Sequence, residues 1–93
     1  MKEKEWQTQV LGLAKIYGWA HYHTWTSIKS VPGWPDLVLC RPPRIIFAEL
    51  KTETGKATEA QAWWLDLLSR CDGVEVALWR PQDLGRIDEV LRR

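Results

Sequence analysis

The sequence predicts a small α/β or α+β domain: a central mixed sheet flanked by helices, in the order helix, strand, strand, strand, helix, strand, helix. Three observations carry this expectation. Apolar residues recur at helical spacing in three separate segments, short runs of branched and aromatic residues lie between them, and glycine or proline marks most of the joints. Helices laid on a sheet are the natural way to bury both kinds of apolar face. With 93 residues, positions 1–93 read as one domain with room for one core.

Residues 2 to 18 read as an amphipathic helix, with Trp6, Val10, Leu13, Ala14 and Tyr17 on one side and Gly18 as the stop. "AHYHTW" at 20 to 25 has strand-like aromatics, and "TSIKSVPG" is a loop closed by Pro32 and Gly33. "DLVLC" and "RIIFAEL" are apolar enough to be inner strands, buried on both sides. After the polar loop "TETGKA", a second helix runs from about Thr58 to Arg70. Asp72-Gly73 is a turn, and "VEVALW" alternates as a strand does. Pro81 opens a last helix whose stripe is Leu84, Ile87, Val90 and Leu91.

Composition excludes several classes. Hydrophobic residues at 45% and charged residues at 27% describe a globular chain rather than a disordered one. Thirteen basic residues against twelve acidic leave a net charge of +1, which argues against binding nucleic acid by general electrostatics alone. A bound divalent ion would supply its own positive charge, so a metal-dependent enzyme is not excluded by this balance. Cys40 and Cys71 form neither a disulfide framework nor a CxxC pair and read as buried thiols in a reducing compartment. No apolar run approaches the roughly 18 residues of a membrane span, and no leader precedes the first helix, so a soluble cytoplasmic protein is expected. The seven tryptophans read as large pieces for a small core, with exposure to a partner as the other use.

The chemistry gathers where the two central strands meet. An antiparallel hairpin centred between Pro42 and Pro43 sets Asp36 opposite Glu49. Two prolines do not suit a tight primed turn, which predicts a wider loop from Arg41 to Arg44 in the same register. Alternation puts Glu49 and Lys51 on one face and the Leu50 side chain on the other. Facing carboxylates repel unless a cation lies between them. Lys51 as a structural ion-pair partner and a divalent-metal site of hard oxygen ligands both fit this pattern. Gln61 also has two uses. It completes a capping box with Thr58, and its helix start, aimed at the carboxylates, favours an anionic phosphate.

"PD" at 35–36 followed by "ELK" at 49–51 resembles the PD-(D/E)XK motif of the restriction-endonuclease-like nucleases, and "GWPDLVL…FAELK…G…Q" resembles its VRR-NUC branch more closely. The likeness extends over nearly the whole chain, from an opening helix with an early glutamate to the glutamine of the second helix. It implies a restriction-endonuclease-like fold and a Mg²⁺- or Mn²⁺-dependent DNA endonuclease, structure-selective in the manner of Holliday-junction resolvases. Asp36 and Glu49 would then hold the metal with the backbone carbonyl of Leu50, Lys51 would act on water or phosphate, and Gln61 would support the site. Glu3 is the preferred helical acid over Glu5, because it lies on the stripe of Trp6 and Val10. The resemblance further implies branched or duplex DNA as partner, a homodimer, no membrane, and the cytoplasm of a bacterial or phage-infected cell. Two rival readings stand: a catalytically silent DNA-binding or assembly module with this fold, and a nicking or end-trimming nuclease.

Other residues carry weaker expectations. Ser27, Lys29, Ser30 and Lys56 are candidates for DNA phosphates. His21 and His23 share one strand face but lack a third zinc ligand. Arg41 and Arg44 fall at the far end of the hairpin, away from the chemistry, and Trp34 is expected to pack under its loop rather than stack on a base.

Overall fold

The structure is a computed structural model describing residues 1–24 and 31–93. Ser27, Lys29 and Ser30, three of the phosphate candidates, lie outside the described residues. The elements are α1 (Glu3–Ile16), β1 (Ala20–His23), β2 (Leu37–Arg41), β3 (Arg44–Leu50), α2 (Glu59–Ser69), β4 (Glu75–Trp79), a 3-10 turn (Pro81–Asp83) and α3 (Leu84–Arg92). The sheet order is β1-β2-β3-β4, antiparallel across the first two pairs and parallel between β3 and β4. This is the mixed sheet and the element order that the sequence predicts.

Strand alternation sorts the side chains into two layers. Leu37, Leu39, Ile46, Ala48, Leu50 and Trp79 point to one face, where they meet Trp6, Val10 and Ala14 of α1 and Ile87 and Leu91 of α3, all buried. Two buried indoles tie the layers together through hydrogen bonds that meet their only polar need. Trp6 Nε1 donates to the Trp79 carbonyl at 3.0 Å, and Trp19 Nε1 donates to the Leu91 carbonyl at 2.9 Å. Trp19 is also covered by the guanidinium groups of Arg41 and Arg44, 4.6 and 4.9 Å from its ring centre. Those arginines donate to the Tyr17, Leu91 and Val90 carbonyls, so they cap the last turn of α3 and have no part in the carboxylate site.

The opposite face of the sheet is covered by α2, and less fully. Trp34 packs edge-on against Phe47 and Trp64, with ring centres 5.6 and 4.9 Å away, which makes it a packing residue under its loop. Trp63 remains 57% exposed. The expectation of full burial on both sides therefore holds for one face only. Cys40, on the α2 face at the hairpin end, and Cys71, in the turn after α2, are both exposed, contrary to the buried thiols expected. Among the described residues α2 lies over β3 and β4 rather than β2, which leaves Cys40 uncovered.

The hairpin turn also departs from expectation. Arg41 pairs with Arg44 directly, leaving only Pro42 and Pro43 between the strands, joined by a cis peptide bond. A cis proline at the third turn position reverses the chain with both φ angles negative, which a trans pair in a primed turn does not allow. The predicted register is unchanged. No helix among the described residues is long and apolar enough to cross a membrane.

Gly33 is the tightest joint between the layers. It has φ +90°, and a Cβ there would lie 2.5 Å from the Ala60 carbonyl carbon in the first turn of α2. Gly33→Ala is expected to force the loop and α2 apart and lower unfolding free energy by roughly 1–3 kcal/mol, as overpacking and unfavourable φ both act. Urea unfolding followed by circular dichroism checks this; an unchanged midpoint would contradict the close approach.

Candidate active site

The β2–β3 register, in which Leu37 faces Ala48, carries Asp36 across from Glu49 just beyond the ladder. There the chain exchanges a backbone partner for a side chain: the Leu50 N–H donates to Asp36 Oδ2 at 2.8 Å. The N–H and C=O of one strand residue project to the same side, so the Leu50 carbonyl also faces the Asp36 side. Lys51 N–H turns the other way and donates to the Trp79 carbonyl of β4 at 3.0 Å. Three oxygen-bearing groups, from Asp36, Glu49 and Leu50, thus converge at one end of the sheet.

Glu49 is 1% exposed, an unusual state for a carboxylate. Its Oε2 accepts from Gln61 Nε2 at 2.9 Å and lies 3.6 Å from Lys51 Nζ. Its Oε1 is buried with no hydrogen-bond partner. Burial is the main cause that pushes its pKa from 4.5 up to about 8, the negative charge of Asp36 and the hydrogen bond that protonated Glu49 makes to the Asp36 carboxylate add to it, and Lys51 opposes it. Two acids this close, one of them buried, are reconciled by a shared proton or by a cation, and the donors present are the hard oxygens that Mg²⁺ and Mn²⁺ take.

Gln61 serves both of its expected uses. Thr58 Oγ1 accepts from the Gln61 N–H at 3.1 Å, and Gln61 Oε1 accepts from the Thr58 N–H at 2.9 Å, which completes the capping box. The amide's oxygen is thereby committed to the cap, so its NH₂ group is left to hold Glu49. One side chain fastens the start of α2 to the buried acid, and the helix N-terminus adds partial positive charge nearby.

The loop from Lys51 to Ala57 is held from below. Arg80 Nη1 donates to the Thr52 carbonyl at 2.8 Å and to the Gly55 carbonyl at 2.5 Å, and Gln82 Nε2 donates to the Glu53 carbonyl at 3.2 Å. On the other flank, Trp64 Nε1 donates to the Pro32 carbonyl at 3.1 Å and fixes the loop that leads to Asp36. Neither Arg80 nor Trp64 stands out in the sequence, because both act by long-range hydrogen bonds to backbone carbonyls. Gly33 leaves a trace there, as one glycine among the "PGWPD" turn residues.

Glu3 does not join the carboxylates. It is exposed in the first turn of α1, and no group of three or more His, Cys, Asp or Glu that could hold a metal occurs among the described residues. The stripe of Trp6 and Val10 is correct, but burial along it begins at Trp6 and Glu3, one turn earlier, is exposed. Glu5 is exposed as well. Lys56 is exposed on the loop before α2. His21 and His23 stack with ring centres 6.1 Å apart on the edge strand β1, as their spacing suggests. Comparison of the chain with protein-family models, with curated proteins and with solved structures gives no match.

The elevated Glu49 pKa fixes a pH dependence. Between 4.5 and about 8 the folded chain binds more proton at this site than the unfolded chain does, so metal-free stability falls as pH rises through that window. Thermal unfolding in EDTA is expected to show a Tm that declines from pH 5 to pH 8, and Glu49→Gln is expected to flatten that decline and raise Tm at pH 8. A wild-type Tm that rises over this range would contradict the assignment.

Proposed function

We propose that the chain is a divalent-metal-dependent phosphodiesterase that cleaves DNA, with branched or duplex DNA as substrate and a homodimer as the working form. The observation that carries this reading is the close pair of Asp36 and Glu49, in which Glu49 is buried and its charge is opposed both by burial and by Asp36. A structural ion pair with Lys51 alone would not need a second acid set against a desolvated one. The resemblance of "PD…ELK" to the PD-(D/E)XK nucleases, and to their VRR-NUC branch, supports the same reading.

Asp36, Glu49 and the Leu50 carbonyl would hold Mg²⁺ or Mn²⁺. When bound, the ion supplies Lewis-acid polarisation of the phosphate and lowers the pKa of water. The chain's own residues do the rest. Gln61 holds Glu49 by its Oε2 from the start of α2. Lys51, half-buried and 3.6 Å from Glu49 Oε2, is sited to orient the attacking water and to offset charge developing on the phosphoryl oxygens. The start of α2 adds a favourable field for an anionic phosphate.

A second reading has one observation in its favour. With Glu3 exposed, the site has two acids rather than three, which suits a DNA-binding or assembly module that keeps the fold without catalysis. Incubation with four-way junction, flap, duplex and single-stranded DNA, in Mn²⁺, Mg²⁺ or EDTA, separates the two and reveals nicking or end-trimming as well. Cleavage is expected with metal and not in EDTA. Asp36→Ala and Glu49→Gln are expected to remove both cleavage and the rise of Tm with Mn²⁺. Lys51→Ala is expected to keep the Mn²⁺ shift while lowering the rate about 100-fold or more. Cutting that survives Asp36→Ala and Lys51→Ala would refute the proposal, and metal binding without cutting of any substrate would favour the silent module.

A further inference from the structure

β4 is an edge strand, and its outer side faces a cleft of about 450 Å³ walled by α3. The cleft is on the core face of the sheet, opposite the face that carries Asp36 and Glu49. Its floor is Ala77, the small residue between Glu75 and Trp79, and its wall is Arg86, Val90 and Arg93, which share one side of α3 at helical spacing. The hydrogen-bond pattern of β4 fixes what the edge offers. The Trp79 carbonyl accepts from Lys51 of β3, so by strand alternation Trp79, Ala77 and Glu75 turn their backbone groups inward. The N–H and C=O groups of Val76 and Leu78 therefore point away from the sheet, a two-residue template for another strand.

The charges in the cleft are uneven. Glu75 is held bidentately by Arg44 at 2.7 Å through both oxygens, and Asp83 Oδ2 accepts from the Arg80 N–H at 2.9 Å. The charge of Glu75 is thus paired, while Asp83 is held through one oxygen by a neutral donor and keeps its charge at the Arg86 end. Arg86 is exposed and forms no ion pair among the described residues. Arg93 lies at the Glu75 end, so a cation stands at each end of an apolar centre made by Ala77 and Val90. The two arginines are about 10 Å apart along the helix, and residues i and i+4 of an extended chain are about 13 Å apart, a difference that flexible guanidinium side chains span.

We propose that this cleft takes an extended segment of a protein partner as a fifth strand beside β4, with an apolar residue over Ala77 and Val90 and acidic residues two positions to either side reaching Arg86 and Arg93. Backbone pairing to Val76 and Leu78 supplies affinity, and the alternate side chains facing α3 supply specificity, the mode of strand addition at an open sheet edge. A second copy of this chain fits less well. Two-fold pairing of β4 edges would bring the arginine-bearing walls of both copies to one face, like charge against like.

The proposal does not depend on the phosphodiesterase reading, and its readout is binding rather than cleavage. The peptide TETVTET presents glutamate, valine and glutamate on one strand face; TKTVTKT is its charge-reversed control. Titrated into the ¹⁵N-labelled protein, TETVTET is expected to shift the Val76 and Leu78 amide resonances. By fluorescence anisotropy it should bind at least tenfold more tightly than TKTVTKT. Arg86→Glu, an exposed change whose fold circular dichroism checks, is expected to weaken TETVTET at least tenfold. The proposal is overturned if those two amides stay unmoved at millimolar peptide, if both peptides bind alike, or if Arg86→Glu binds TETVTET as the parent does. Shifts of the same amides with protein concentration alone would replace it with self-pairing. Shifts around Arg86 with duplex DNA and none with peptide would replace it with a nucleic-acid surface.

Discussion

The hydrogen bond from the Leu50 amide to Asp36 Oδ2 is where backbone order becomes a site. Up to Leu37 and Ala48 the β2–β3 ladder is ordinary antiparallel pairing, set by a two-residue connection at the other end. One step beyond, β2 has ended and a carboxylate takes the place of its backbone acceptor. This substitution holds Asp36 against β3, turns the Leu50 carbonyl toward the same space, and brings the Asp36 charge to bear on Glu49. A slip of one residue in the hairpin would turn Glu49 into the core and Leu50 toward α2. The buried face of Leu37, Leu39, Ile46, Ala48 and Leu50 guards against that slip, so the hydrophobic core is what keeps the acids in register.

Burial then gives the acids their character. Glu49 is covered because α2 begins directly over it, and α2 begins there because Gln61 serves both the cap and the carboxylate. Gly33 permits the contact by letting the preceding loop press against Ala60 without a side chain. The resulting desolvation opposes the charge of Glu49 more than Lys51 offsets it, so the metal-free site resists holding two negative charges. Two acids held this close, one of them buried, carry a cost in stability, and proteins retain such costs at functional sites.

Much of this is legible in the residues themselves. The periodicity of the helices, the apolar runs of β2 and β3, and the Thr58–Gln61 spacing are local signals, so the element order and the capping box could be read from neighbours along the chain. The register of Asp36 and Glu49 was legible because counting from Pro42–Pro43 leaves one alternation that buries the apolar side chains. Glu3 misled for the same local reason. Its stripe on α1 is correct, but a helical wheel does not say at which turn burial begins, and here it begins at Trp6. Cys40 misled likewise, because the reach of α2 across the sheet is a property of two elements and not of one.

By itself, then, the sequence determined the elements, their order, the pairing of the central strands and the pair of facing acids, since each rests on interactions between residues close in the chain or mirrored about one turn. The tertiary structure alone decided that Glu49 is desolvated beside Asp36, that Arg80 and Trp64 brace the loops around it, and that β4 presents an open edge beside the arginines of α3. These depend on which surfaces of separate elements cover each other, and burial of that kind is set by packing across distances that no local pattern encodes.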